Sequence, residues 1–121
     1  MKKIIFCLIC IILLGGCGSK NNSKDGLISY MKAKELIINE GAVLVDVRTE
    51  EEYNKKHIDG AKLLTIDTIT EETASKILTN KDNQIIVYCK SGKRSSEAKK
   101  KLEELGYSRV YDLGSIDNWK E

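Results

Sequence analysis

Past residue 26 the chain alternates apolar runs with stretches of helical periodicity. Residues 42–47 are apolar apart from Asp46, and Gln84-Ile85-Ile86-Val87-Tyr88 forms a second such run. Unbroken runs of this length suit strands covered on both faces, as in a parallel sheet. Residues 62–66 and 109–113 predict two more strands, and residues 27–30 a short one at the start. Between them, residues 32–39 place Ala33, Leu36 and Ile37 on one helical face, with Gly41 as a stop. Thr49 followed by Glu52 predicts a capped helix ending near residues 55–56, and Asp59-Gly60 a turn. Residues 70–78 carry Ala74, Ile77 and Leu78 on one face. Residues 95–105 direct Ala98, Leu102 and Leu105 inward, with Gly106 just past the end. Gly114-Ser115 turns into a tail containing Trp119. Strand and helix alternate throughout, which predicts a small α/β fold: a mainly parallel sheet with helices on both faces.

The first 26 residues have a different pattern. Lys2-Lys3 is followed by an apolar run of eleven residues, Ile4 to Leu14, and then by Gly15-Gly16. As a helix that run spans only about 16 Å, half a bilayer core, so it reads as a signal peptide (residues 1–16) and not as a spanning helix. Leu14-Gly15-Gly16-Cys17 resembles the lipobox of bacterial lipoproteins, which implies cleavage before Cys17 and lipidation of its thiol. Residues 17–26 then comprise the lipidated cysteine and a polar, small-residue tether, which sets the domain (residues 27–121) roughly 15 to 18 Å from its anchor. The expected location is the extracytoplasmic face of a cell membrane, with the bilayer as a partner through acylated Cys17.

This changes the charge and the cysteine count. The formal charge of +2 rests on Lys2 and Lys3, and without them 18 basic residues face 18 acidic ones. No basic excess remains to suggest nucleic-acid binding. Cys7 and Cys10 leave with the signal peptide and Cys17 is acylated, so Cys89 is the one free thiol of the mature chain and no intramolecular disulfide forms.

Cys89 ends an apolar strand and opens the turn Cys89-Lys90-Ser91-Gly92-Lys93-Arg94, with a helix beginning near Ser95. Small residues let successive N–H groups converge, and the helix N-terminus and nearby cations add positive potential at the sulfur. All three favour a thiolate. A free cysteine at a strand end is often only a small buried hydrophobe; the cationic, glycine-containing turn points instead to a nucleophile and an anionic substrate.

At these residues the chain resembles the single-domain rhodaneses, which are sulfurtransferases. Asp46-Val47-Arg48-Thr49-Glu50-Glu51-Glu52-Tyr53 with His57-Ile58-Asp59-Gly60-Ala61 resembles the family's first signature. Residues 89–94 with Ser95 resemble its active-site loop, and Val110-Tyr111-Asp112-Leu113-Gly114-Ser115-Ile116 with Trp119 its closing motif. The resemblance implies that Cys89 takes a sulfane sulfur from a small anionic donor such as thiosulfate. A thiol or cyanide acceptor then removes it, and no metal or organic cofactor takes part. Lys90, Ser91, Gly92, Lys93, Arg94 and Ser95 would hold the donor and the persulfide. Asp46 is expected to pair with backbone N–H groups or with Arg48. Arg48 itself is either that partner or a residue at the mouth that touches the donor. His57 is a packing and hydrogen-bonding residue in the resembled motif.

The family usually has glycine where Lys56 and Ser115 stand and proline where Asp59 stands, so local turn geometry is in question there. Phosphatases with a similar loop place five residues between cysteine and arginine. Here four separate Cys89 from Arg94, which favours sulfur over phosphate or arsenate. The alternative from another class is a sulfur-carrier or binding module of low turnover.

Overall fold

The computed structural model describes residues 26–120. The expected signal peptide, the lipidated Cys17 and the tether up to residue 25 lie outside the described residues. Among the described residues no helix is long and apolar enough to cross a membrane.

The elements, in chain order, are α1 (Tyr30–Glu40), β1 (Val43–Asp46), α2 (Glu50–Lys55), β2 (Lys62–Leu63), α3 (Glu71–Ile77), β3 (Gln84–Cys89), α4 (Lys93–Glu104) and β4 (Arg109–Ser115). Single 3₁₀ turns occupy Ile66–Thr68 and Ile116–Asn118. The four strands form one sheet in the order β2-β1-β3-β4, with every pairing parallel. Their carboxyl ends therefore share one edge, where ligands of open parallel sheets bind.

The alternation of β3 divides the core in two. Ile85, Val87 and Cys89 face one side and pack with Val45, Ala74, Leu78, Ala98 and Leu102, under α3 and α4. Ile86 and Tyr88 face the other and pack with Ala33, Leu36, Leu44, Ile58 and Leu113, under α1. Helices thus cover both faces, as the run-versus-periodicity pattern predicts.

The largest departures from the sequence reading have local reasons. Residues 27–30 are not a strand: Leu27 makes one isolated parallel bridge to Asp112, and Ser29 already caps α1 by accepting the N–H of Lys32. The strand expected over residues 62–66 ends at Leu63, although Ile66 still donates to the Val47 carbonyl before the 3₁₀ turn takes over. Helix α4 begins at Lys93, two residues early. Strand β4 continues through Gly114 and Ser115, where a turn was expected, because its pairing with β3 shifts register between Val87 and Tyr88. Val87 faces Asp112 and Tyr88 faces Gly114, so Leu113 is the extra residue of a β-bulge, and Cys89 ends opposite Ser115.

Candidate active site

Cys89 is fully buried at the end of β3 and sits directly below the first turn of α4. The N-cap of α4 is Gly92, which has no side chain to accept the free N–H groups of the first turn. The sulfur takes that role. Ser95, third residue of the helix, donates its N–H to Sγ at 3.3 Å, and Gly92 donates its own at 2.9 Å. Gly92 holds φ = 101°, a backbone conformation that side chains with a Cβ avoid and glycine adopts readily. Two N–H dipoles and a helix N-terminus aimed at one sulfur form an arrangement that holds negative charge there.

The remaining loop residues divide by role. Lys90, Ser91 and Lys93 are exposed on the outside of the turn. Ser95 is fully buried, and its hydroxyl donates to the Gly92 carbonyl at 3.1 Å, closing the turn from inside. Arg94 points sideways onto α2, where Nη1 and Nη2 fork onto the two oxygens of Glu52 at 2.8 and 3.2 Å. That fork and the N–H of Thr49 hold the Glu52 carboxyl down at about 2. Hydrogen bonds to Glu52 raise the Arg94 guanidinium in return, with a smaller contribution from the charge of Cys89.

On the opposite face of β3, Tyr88, the residue before Cys89, connects the strand to Asp46 and Ile58 of the first signature. Asp46, fully buried, accepts from the Arg48 backbone N–H (2.9 Å), from Arg48 Nε (3.0 Å) and Nη2 (2.7 Å), and from the Tyr88 hydroxyl (2.7 Å). Tyr88 in turn accepts the N–H of Ile58 at 3.1 Å, and Arg48 Nη2 also donates to the Lys56 carbonyl at 2.6 Å. Burial keeps the Tyr88 phenol well above its ordinary range. Of the two roles open for Arg48, the geometry shows the pairing with Asp46. The guanidinium also borders a cleft of about 470 Å³ shared with Lys56, His57, Asp59, Asp117 and Trp119. His57 is exposed; its ring stacks on Tyr53 at 3.7 Å between centroids, and Nδ1 donates to the Tyr53 carbonyl at 2.8 Å.

Two of the departures from the family pattern, Lys56 and Ser115, fall where the backbone accepts any residue. Lys56 has φ = −172° and Ser115 φ = −78°, extended values open to any residue. Ser115 also accepts the N–H of Asp117 on its hydroxyl and so caps the final 3₁₀ turn.

Three participants have no signal in the sequence pattern. Glu52 reads as a helix-capping residue, and its partner Arg94 lies 42 positions away. Tyr88 reads as a strand aromatic, and its bond to Asp46 also spans 42 positions. Asp112, within the closing motif, proves to be a carboxylate only 5 % exposed. Among the described residues, no group of His, Cys, Asp and Glu side chains is placed to hold a metal ion.

A family model described as a rhodanese-like domain matches residues 29–121. The chain is 30% identical over 93 residues to the thiosulfate sulfurtransferase PspE of Escherichia coli (strain K12), a match covering 77% of this chain and 88% of that protein. It is 32% identical over 94 residues to the thiosulfate sulfurtransferase GlpE of Coxiella burnetii, covering 77% and 85%. A solved rhodanese from E. coli, determined with anions, superposes with a TM-score of 0.60 at 30% identity, covering 64% of this chain and 89% of that one.

Proposed function

The chain belongs to the family of rhodanese-like domains, and from that premise we propose that it is a sulfurtransferase working through a persulfide on Cys89. The observation that carries the reading is the pair of N–H groups, from Gly92 and Ser95, that converge on Sγ beneath a helix N-terminus. The thiolate that attacks the donor, and that re-forms when the acceptor leaves, needs its negative charge held by fixed donors, and backbone N–H groups supply them without reorganisation during the reaction.

In the first step the Cys89 thiolate attacks the outer sulfur of thiosulfate. The S–S bond of the donor breaks, its electron pair leaves with sulfite, and the new Sγ–S bond carries the negative charge on its terminal sulfur. In the second step cyanide or a thiolate attacks that terminal sulfur. The Sγ–S bond breaks, its electron pair returns to Sγ, and thiocyanate or the acceptor's persulfide departs. Each half leaves the other's starting state, which is ping-pong transfer. Lys90 and Lys93, exposed on the rim, draw in the anionic donor, while Arg94 is held by Glu52 and braces the loop. Burial of Cys89 keeps the sulfur out of bulk water, which strengthens the electrostatic hold on it.

The same reading places the domain at a membrane surface, tethered through Cys17. Its support is the run Lys2-Lys3, Ile4 to Leu14 and Leu14-Gly15-Gly16-Cys17.

The test is thiocyanate formation from thiosulfate and cyanide by the domain from Ser19 onward, with intact mass before and after thiosulfate. Wild type is expected to turn over and to gain one sulfur; Cys89→Ser is expected to do neither. A wild-type chain with no turnover and no added sulfur sinks the enzyme reading and leaves a binding module.

A further inference from the structure

Asp112 is a buried carboxylate on β4 that the transfer chemistry does not use, and its surroundings lead to the sulfur by two routes. The first runs through the β-bulge. At Leu113 the ladder between β3 and β4 slips, and Asp112 Oδ1 accepts the N–H of Gly114 at 2.8 Å across the slip. Gly114, at φ = 84°, presents its bare backbone to the active-site turn: a Cβ on Gly92 would lie 3.7 Å from Gly114 Cα and 4.0 Å from Ser115 N. The bulge that Asp112 pins thus borders the space beside Gly92, and Gly92 N–H is the shorter donor to Sγ.

The second route runs through Ser95. Ser95 counts among the groups that lower the Asp112 carboxyl, its hydroxyl donates to the Gly92 carbonyl at 3.1 Å, and its N–H is the other donor to Sγ. Burial raises the Asp112 carboxyl above its ordinary value, while Ser95, the Gly114 N–H and the charge of Lys99 on α4 oppose that rise. A buried carboxyl of this kind is expensive unless its oxygens are engaged; the N–H of Gly114 engages one of them, and Ser95, which lowers the carboxyl, belongs to the sulfur-holding turn.

We propose that Asp112 is the positioning residue of the active-site turn, setting the two N–H donors of Cys89 at once through Gly114 and Ser95. It touches neither substrate nor sulfur. The assignment deepens the sulfur-transfer reading, and its activity arm rests on that reading.

The experiment compares Asp112→Ala, Asp112→Asn and Asp112→Val with wild type. Steady-state kinetics are read beside the amide NMR signals of Gly92 and Ser95. Asp112→Asn keeps an acceptor for Gly114 and a polar partner for Ser95, so its amide signals are expected near the wild-type positions and its kcat within about threefold. Asp112→Ala removes both links. Its two amide signals are expected to move and to exchange faster with solvent, and kcat to fall about tenfold, less than deleting a donor outright. KM for thiosulfate is expected to stay put, because Lys90 and Lys93 are untouched. Unmoved Gly92 and Ser95 signals in Asp112→Ala overturn the proposal, and so does an Asp112→Asn as defective as the alanine. Should Asp112→Ala fail to fold, Asp112→Val takes its place: displaced Gly92 and Ser95 amides in it with native-like ones in Asp112→Asn support the proposal, and unmoved amides in Asp112→Val overturn it. A wild type without turnover would defeat the enzyme reading alone, since the amide signals still report on the turn.

Discussion

The sulfur of Cys89 serves as the helix cap that Gly92 cannot supply, and this ties reactivity to a single backbone conformation. A side chain at position 92 would meet only ordinary contact distances to Gly114, so steric exclusion does not explain the glycine. The φ of 101° does. Gly92→Ala is expected to destabilise the fold by about 1–2 kcal/mol, the penalty of forcing an L-residue to positive φ. It is expected to lower kcat by more than that loss of folded protein accounts for, because relief of the strain rotates the N–H away from Sγ. Thermal unfolding together with turnover per folded molecule checks this, and a variant with a native kcat would refute the geometric role of Gly92. The sequence makes Cys89 and its turn legible because small and cationic residues cluster within six positions. It does not show that Arg94 turns away to Glu52, since that depends on where α2 packs.

At the scale of elements, Glu52 does two jobs with one carboxylate. It completes the capping box of α2 with Thr49, and it receives the forked guanidinium of Arg94 from the first turn of α4. Its carboxyl is lowered from 4.5 to about 2, first by Arg94 and then by the Thr49 N–H. A carboxyl with a depressed folded pKa adds stability that is fully present above its unfolded value and is lost as pH falls through the folded one. The window is therefore between pH 4.5 and about 2. Glutamine keeps the capping box and removes the charge, so Glu52→Gln isolates the bridge. It is expected to cost about 1 kcal/mol at neutral pH, since the pair is part-exposed, and to flatten the fall in stability across that window. Urea unfolding at several pH values measures both, and parallel wild-type and variant curves down to pH 2 would contradict the assignment. The capping box was readable from Thr49 and Glu52 alone because a cap is a local hydrogen-bond pattern. The bridge was not, because its two ends meet only when two helices lie side by side.

For the whole molecule, parallel order β2-β1-β3-β4 brings the ends of β1, β3 and β4 to one edge. The Asp46–Arg48–Tyr88 network lies on one side of β3 and the sulfur-holding turn on the other. Beyond the domain, the tether reading predicts that labelled fatty acid enters the full-length protein and not a Cys17→Ala variant expressed in bacteria; equal labelling would remove the anchor from the proposal. What the sequence by itself determined is what short-range physics controls: strand runs, helix periodicity, the capping box, and the glycine-bearing turn that sets Cys89 among cationic residues. Each follows from residues within a few positions of one another. The tertiary structure decided the rest: the β-bulge at Leu113 that extends β4, the early start of α4 under a sulfur cap, and the partners of Arg94, Tyr88 and Asp112. Those are settled by packing, which brings together groups tens of residues apart and gives buried polar atoms no choice but to find one another.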